Sequence, residues 1–193
     1  WIGECSPRTA ECNELLNLAA VRDALVIFII QDNQVALGTR REDHGVGDLE
    51  EWGAMYGIPS RSVDGNNVLE VHLAAREAVE ACRTGRGPRI VLCRTFRMGG
   101  HATHDEREAR SMFPPEEFRA WGLRDPIGLY EAYLTGRGIS AEALEEVESE
   151  VIREIDDAAA AALASRDQLP DPDTARSDEV SDSERLVGIQ ERI

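Results

Sequence analysis

Residues 24–31, ALVIFIIQ, contain the longest apolar run of the chain and decide its fold class. The run is continuous and rich in Val and Ile, which is typical of a strand that is covered on both faces in a parallel sheet. It is much too short to span a bilayer. A second run of the same kind, RIVLCRTF at residues 89–96, predicts another buried strand.

Helical patterns precede both runs. A cap at Ser6, a proline after it and periodic apolar residues predict a helix that extends to about Asp23. Asn67 is predicted to cap a second helix, which Gly85 ends. The first three residues, WIG, are typical of the end of a buried strand, and we expect another segment to precede them. Helices that alternate with apolar strands indicate an α/β sheet whose ligands bind at the carboxyl ends of the strands.

Shorter elements are expected between these two units. Asp48 is predicted to cap a helix that ends at Gly57, and residues 61–63 are predicted to form a short strand. Asp64-Gly65 then gives a turn before the helix that Asn67 caps.

The last third of the chain has a helical pattern. Helices are expected at residues 114–121 and 125–134, followed by a long helix that Ser140 caps and that carries one apolar stripe. Pro, Asp and Ser enrich the sequence after that. We therefore expect an α/β domain at residues 1–137, a packing helix at residues 138–166, and an acidic flexible tail or tether at residues 167–193.

Composition excludes several classes of partner. The net charge of −16 over 193 residues disfavours nucleic acid and anionic membrane surfaces, because both require a footprint of basic residues. The four cysteines, at positions 5, 12, 82 and 93, lack the short paired spacings of zinc or redox motifs. We expect reduced thiols, no nucleic acid or membrane partner, and a cytoplasmic location.

A motif for a cofactor lies around the first predicted strands. Gly3-Glu4-Cys5, a gap of 26 residues and Asp32-Asn33 resemble the thiamine diphosphate motif, which is Gly-Asp-Gly, a gap of that size and Asn-Asn. The segments ECNELLNLAAV and VIFIIQDNQ resemble the interior of that gap in alpha subunits of the decarboxylating component of 2-oxo acid dehydrogenases. The resemblance continues in order with YGIPSRSVDGNNVLEV, GRGPRIVLCRTFRMGGHATHDE and DPIGLYEAYL.

Collinear motifs are more specific than one isolated match. Residues 1 to about 137 are therefore similar to the carboxyl-terminal half of an alpha subunit of the pyruvate, branched-chain 2-oxo acid and acetoin dehydrogenase family. The resemblance implies part of a thiamine diphosphate-binding α/β fold, with a mostly parallel sheet flanked by helices and a helical carboxyl-terminal extension.

The resemblance also assigns residues to the site. It implies that a carboxylate of Glu4, the amide oxygen of Asn33 and the backbone carbonyl of Val35 bind Mg²⁺, which prefers octahedral oxygen ligands. It implies that His101, in the loop RMGGHATHD, helps hold the diphosphate and steer the acyl acceptor, which makes it the candidate catalytic residue. The candidate cofactor-binding residues are Gly3, Glu4, Cys5, Asn33, Val35, Arg97 and His101.

The motif departs from the family at three positions. Glu4 stands where the family has Asp, and its extra methylene displaces the carboxylate. Cys5 stands where the family has Gly, so its Cβ is expected to conflict with a positive φ or with the approach of a diphosphate. Asp32 replaces the first Asn. His44 and His72 have no motif around them and are expected to be solvated or satisfied in the core.

The resemblance implies an enzyme that decarboxylates a 2-oxo acid and transfers the acyl group to a lipoyl acceptor. It also implies activity only with partner chains, namely one that supplies the amino-terminal half of the alpha subunit, a beta-type subunit, and a lipoyl-bearing acyltransferase or a carrier protein. Two alternatives stay open. One is acyl transfer or carbon–carbon bond formation in a biosynthetic pathway, and the other is a non-catalytic structural subunit.

Overall fold

The computed structural model describes residues 1–168, which divide into a compact unit at Trp1–Gly138 and a second unit that begins at Ile139. The first unit is built on a parallel sheet, as the sequence predicts. Its strands are β1 (Ile2–Gly3), β2 (Ile27–Asp32), β5 (Ser60–Asp64) and β6 (Arg89–Arg94), in the spatial order β1-β2-β6-β5. A small antiparallel hairpin, β3 (Val35–Ala36) and β4 (Thr39–Arg40), follows β2.

Helices cover the sheet and continue beyond it. They are α1 (Ala10–Val21), α2 (Arg41–His44), α3 (Val68–Arg83), α4 (Glu106–Ser111), α5 (Pro115–Gly122) and α6 (Pro126–Gly136). Short 3₁₀ helices lie at Ser6–Arg8 and Leu49–Tyr56. The α/β class with a mostly parallel sheet and flanking helices is confirmed.

The two faces of the sheet bury different sets of side chains. Ile30 and Leu92 pack with Leu16 of α1 on one face, whereas Val91 packs with Ala78 of α3 on the other. The alternation arises because successive side chains of a strand point to opposite faces. Each large aliphatic side chain buried in this way contributes about 1.5–3 kcal/mol. The sheet is therefore held from both sides, as its apolar strands require.

Local capping corrects one predicted helix start. The first helix does not begin at Ser6, because residues Ser6–Arg8 form a separate 3₁₀ turn. Thr9 caps α1 instead, and its side chain accepts a hydrogen bond from the backbone N–H of Cys12. The predicted caps Asp48 and Asn67 are both confirmed, since each side chain accepts backbone N–H bonds of the following turn. The segment after Asp48 is a 3₁₀ helix.

The first strand exists, but it is not buried within the described residues. β1 pairs with β2 on one side only in the part of the chain that the structure describes. Trp1 is 82% exposed and Ile2 is half-buried. β2 begins three residues later than the apolar run, at Ile27, and β6 ends at Arg94.

The second unit consists of one long helix in the described residues. α7 (Ala141–Ala164) begins at the predicted cap, Ser140, whose hydroxyl accepts from the Ala143 N–H. A 3₁₀ turn at Ser165–Gln168 follows. The predicted tail at residues 167–193 lies almost entirely outside the described residues. No helix within residues 1–168 has the length and apolar character needed to cross a membrane.

Candidate functional site

The register of the sheet places the two halves of the predicted motif side by side. Gly3 of β1 pairs with Gln31 of β2 in parallel, so the chain leaves both strands at the same edge of the sheet. Glu4 therefore lies next to the Asp32-Asn33 segment. The loop after β6 joins them, because the Thr95 N–H donates to the Asp32 carbonyl at 2.9 Å and the Arg97 N–H to the Asn33 carbonyl at 3.2 Å.

Residues of these segments line one cavity of about 500 Å³. Every residue that the sequence assigned to the cofactor site lines it, together with four residues that were not assigned. The lining residues are Gly3, Glu4, Cys5, Asn33, Val35, Ala36, Leu37, Thr39, His44, Arg97 and His101. The two halves of the motif, which 26 residues separate in the sequence, therefore line one cavity and could bind the same ligand.

Glu4 is the most unusual group of this cavity. Its side chain is 2% exposed, and its Oε1 atom has no hydrogen-bond partner within residues 1–168. Burial raises the pKa of the Glu4 carboxyl, while the backbone N–H groups of Glu4 and Asn33 act in the opposite direction. A buried carboxylate oxygen without a partner is costly, and a bound cation would compensate for it.

Asn33 and Val35 supply neutral oxygens beside Glu4. The Oδ1 atom of Asn33 accepts a hydrogen bond from the Val35 N–H at 3.2 Å, which folds the segment into a tight turn. An amide oxygen has two lone pairs, so this bond leaves acceptor capacity for a ligand. The Val35 side chain is buried against Phe96 and Phe113 and anchors the turn.

The departures at Glu4-Cys5 do not strain the backbone. Cys5 has φ −79° and ψ −36°, an ordinary conformation for any L residue, so the expected conflict with a positive φ is wrong. No described atom lies within 4 Å of a Cβ built at Gly3. That glycine therefore leaves open space at the cavity, which permits the close approach of a ligand to the backbone.

Asp32, which replaces the first Asn of the motif, forms a buried ion pair. Its side chain is fully buried, and its Oδ2 atom accepts from the Arg41 guanidinium at 2.7 Å. Burial raises the pKa of Asp32, and the charges of Arg41 and Arg94 oppose this. Asp32 thus attaches α2 to the end of β2 and is not among the residues that line the cavity.

The loop that carries His101 is held by specific contacts. The Arg97 guanidinium donates to the carbonyls of Leu37 at 2.6 Å and Gly99 at 3.1 Å, which joins this loop to the β3–β4 turn. His101 itself is exposed and lines the cavity. Arg97 is therefore partly committed to positioning the loop.

A turn closed by Asp105 orients His101. Its carboxylate accepts from the backbone N–H groups of Ala102 at 2.9 Å and His101 at 3.1 Å, and these bonds hold the pKa of Asp105 below its usual value. A Cβ at Gly100 would lie 2.1 Å from the Asp105 carboxylate. Gly100 is therefore required by the close packing of this turn.

His44 is a residue of this cavity that the sequence did not identify. It ends α2, and both ring nitrogens are buried without a hydrogen-bond partner among the residues that the structure describes. Its charge lowers the pKa of Glu4 when it is protonated, which places the two groups within electrostatic reach. The expectation that His44 is solvated or satisfied is wrong, and no motif around it could have revealed this.

The donor set fits a divalent ion that binds oxygen. One carboxylate, one amide oxygen and one backbone carbonyl are ligands that Mg²⁺ accepts, and Mg²⁺ commonly takes further oxygens from phosphates and water. Residues 1–168 contain no cluster of three or more His, Cys, Asp or Glu side chains arranged to hold a metal. An ion here would therefore depend on Asn33, Val35 and oxygens of its ligand as well as on Glu4.

Comparisons with known proteins identify the family of the chain. The chain is 36% identical over 158 residues to a pyruvate dehydrogenase E1 component subunit alpha of Acholeplasma laidlawii, which covers 81% of this chain and 46% of that protein. It is 34% identical over 177 residues to the same subunit of Rhizobium meliloti, with 91% and 49% covered. A 3-methyl-2-oxobutanoate dehydrogenase subunit alpha of Mycobacterium tuberculosis is 32% identical over 148 residues, with 76% and 40% covered.

The chain spans about half the length, or less, of the curated relatives that it matches. The family model described as dehydrogenase E1 component matches residues 1–171, which is most of the chain. On these grounds, and with the motif segments gathered at one end of a parallel sheet, the chain belongs to the dehydrogenase E1 component family.

Proposed function

We propose that this chain is part of a thiamine diphosphate-dependent enzyme that decarboxylates a 2-oxo acid and transfers the acyl group to a lipoyl acceptor. The observation that carries the proposal is the buried, unpartnered Oε1 of Glu4 in the described chain, in a cavity that Asn33 and His101 also line. Membership of the dehydrogenase E1 component family supports the same class of reaction.

The residues of the cavity divide into an ion-binding part and a phosphate-binding part. Glu4, Asn33 and Val35 would hold Mg²⁺ through a carboxylate, an amide oxygen and a backbone carbonyl. His101 and Arg97 line the same cavity and would interact with the diphosphate, since both side chains can donate hydrogen bonds to anionic oxygens. Bound thiamine diphosphate supplies the carbon nucleophile and the electron sink that decarboxylation of a 2-oxo acid needs.

Protein groups would then orient and shield the reacting parts. Glu4 is buried, so its charge would be weakly screened by solvent. His101 is exposed at the cavity, where it can meet an acyl acceptor that arrives from outside. We assign His101 the catalytic role of positioning that acceptor beside the diphosphate.

Partner chains are part of the proposal. The apolar side chains on the outer face of α1, Leu15, Leu18 and Val21, are exposed, and so is Trp1 beside β1. Exposed apolar groups around an edge strand are typical of a surface that a further chain covers. We propose a chain supplying the amino-terminal half of the alpha subunit at this edge, a beta-type subunit, and a lipoyl-bearing acyltransferase or a carrier protein as acceptor.

The test measures carbon dioxide release by the purified complex from a panel of 2-oxo acids, with and without thiamine diphosphate and Mg²⁺. The proposal expects release that requires both and that Glu4→Gln abolishes. The exposed His72→Gln variant is the matched control and should retain wild-type release. Release that does not respond to the cofactor would exclude the proposal. Lipoyl and carrier-protein acceptors added in parallel identify where the acyl group goes.

A second candidate is a non-catalytic structural subunit. It is favoured by Glu4 and Cys5, which replace the Asp and Gly of the motif that the site resembles. Equilibrium binding of thiamine diphosphate to the complex separates the two candidates. If wild type binds no cofactor at millimolar concentration and Glu4→Asp with Cys5→Gly gains none, the structural role is correct.

A further inference from the structure

The Glu4 cavity contains a second orphaned group that the proposed function does not use. Both ring nitrogens of His44 are buried and lack a hydrogen-bond partner in the described residues, as does Oε1 of Glu4. The two residues line the same cavity and interact electrostatically, yet no hydrogen bond joins them in the described chain. Two residues that line one cavity and carry buried polar atoms without described partners are candidates for a shared ligand.

His44 is held in this position by contacts from both sides. Arg41, at the start of the same short helix, donates to the buried Asp32 at 2.7 Å. On the other side, Arg8 donates to the Val46 carbonyl. A Cβ at Gly45 would lie 2.8 Å from the Arg8 guanidinium, so this glycine makes room for the contact. The segment that carries His44 is therefore anchored on both sides of this residue.

The chemistry of Glu4 and His44 indicates which kind of ligand both could bind. A neutral imidazole offers one lone pair, and the carboxylate offers negatively charged oxygens. A cation satisfies both groups at once. Imidazole nitrogen suits first-row transition ions such as Co²⁺, Fe²⁺ and Zn²⁺, whereas Mg²⁺ takes oxygen ligands and rarely nitrogen.

We propose that His44 is a direct ligand of the divalent ion at Glu4, and that this site therefore prefers a transition ion to Mg²⁺. This inference rests on the proposed function, because it concerns the ion that accompanies thiamine diphosphate. Glu4, Asn33, Val35 and His44 would supply four ligands, and cofactor or water oxygens would complete the coordination.

The experiment uses the purified complex with thiamine diphosphate and compares wild type with His44→Gln, His44→Ala, Glu4→Gln and the control His72→Ala. Co²⁺ and Mg²⁺ affinities are measured by competition. We expect the Co²⁺ to Mg²⁺ affinity ratio to fall at least about tenfold in both His44 variants, since loss of a partner of a metal site typically costs that much. His44→Gln offers an oxygen instead of a nitrogen, so it should bind Mg²⁺ better than His44→Ala does. His72→Ala should leave the ratio unchanged.

A spectroscopic measurement accompanies the affinities. With Mn²⁺ as a paramagnetic probe, electron spin echo modulation should show a coupled nitrogen nucleus in wild type and in His72→Ala, and none in the His44 variants. Circular dichroism of each variant verifies that it is folded. An unchanged ion ratio, or a Glu4-dependent ion without a coupled imidazole nitrogen, would overturn the role of His44 and leave the proposed function intact. Failure of wild type to bind any ion with the cofactor would overturn both.

Discussion

The carboxyl edge of the sheet has two neighbouring parts, at the ends of β1 and β2 and at the ends of β5 and β6, which we call the β1–β2 edge and the β5–β6 edge. Comparing them shows how a ligand site differs from a structural junction. At the ends of β1 and β2, the buried Glu4 and the half-buried His44 carry buried polar atoms that are unpaired in the described chain. At the ends of β5 and β6, the polar groups pair with one another: Asp64 accepts from Arg124 at 2.7 Å, and Arg94 donates to Glu50 at 2.7 Å. Both edges are rich in acids and arginines.

The two edges differ in whether their buried polar atoms have hydrogen-bond partners, and not in the residue types that they contain. Asn66 shows this at the β5–β6 edge, because its amide donates to the Arg124 carbonyl at 2.7 Å and accepts from the Thr95 hydroxyl at 2.6 Å. A native fold rarely leaves buried polar atoms unpaired, so the atoms at the β1–β2 edge that lack partners among the described residues indicate a ligand-binding site. The β5–β6 edge needs none and serves to fasten the segment after α5 to the sheet.

The largest expected effect is on metal affinity at the β1–β2 edge. Glu4→Gln removes the negative charge at the proposed ion site while its size is kept, so we expect metal affinity in the presence of thiamine diphosphate to fall about a hundredfold. Isothermal titration of the complex measures it. The exposed Glu14→Gln variant is the control. Equal affinities for Glu4→Gln and wild type would remove the contrast between the two edges.

Asn66→Ala tests the satisfied edge. It leaves the Thr95 hydroxyl and the Arg124 carbonyl without their partner, so we expect the free energy of unfolding to fall by about 2 kcal/mol. Denaturant unfolding measures it. Asn17, exposed on α1, is the matched control, and its Ala variant should change stability by less than about 0.5 kcal/mol. A larger loss of cofactor binding than of stability would mean that this edge also serves a ligand.

The sequence predicted the parts of the site that follow from strand order. Parallel strands end at the same edge, so an apolar run at residues 24–31 after the WIG segment already implied that Glu4 and Asn33 meet. The turn and cap at residues 64–67 were equally readable, because Asp and Asn have local hydrogen-bonding preferences. The first feature depends on strand order, and the second depends on neighbours in the sequence.

His44 could not be predicted, because its position depends on contacts that are distant in the sequence. Arg8 reaches the carbonyl of Val46, 38 residues away, and Arg41 pairs with Asp32. No local periodicity encodes such pairs. The same limit applies to Asp32, whose carboxylate attaches α2 to the end of β2 through Arg41.

Gly99 and Gly100, in the loop that carries His101, provide another test of the β1–β2 edge. Gly100→Ala would place a Cβ 2.1 Å from the Asp105 carboxylate and disturb the turn that orients His101. We expect the affinity for thiamine diphosphate to fall about tenfold, which is about 1.4 kcal/mol, with little change in melting temperature. Gly99→Ala is the matched control, since a Cβ there meets no described atom within 4 Å.

Fluorescence titration of the complex with the cofactor compares the two glycine variants. If both lower the affinity alike, general loss of loop mobility and not the Asp105 turn is responsible. If neither does, His101 does not contact the diphosphate.

The smallest expected effect has the opposite sign. Burial raises the pKa of Glu4 above 4.5, so the folded chain keeps this proton to higher pH than the unfolded chain does. The stability of the wild type therefore falls as pH rises from about 4.5 through the folded-state pKa, and it stays lowered above that. Gln does not titrate. Without metal or cofactor, Glu4→Gln should therefore be more stable than wild type at pH 7–8, and this advantage should disappear below pH 4.5.

Urea unfolding at a series of pH values measures this difference, with Glu14→Gln as the exposed control. If the stability difference between Glu4→Gln and wild type does not vary with pH, groups of the free protein already compensate for burial of the Glu4 charge. Addition of Mg²⁺ or Co²⁺ with thiamine diphosphate should reverse the order, because the ion binds the wild-type carboxylate and not the amide. A residue that weakens the empty fold and strengthens the loaded one is selected for its ligand, and that is the distinction between the β1–β2 edge and its satisfied neighbour.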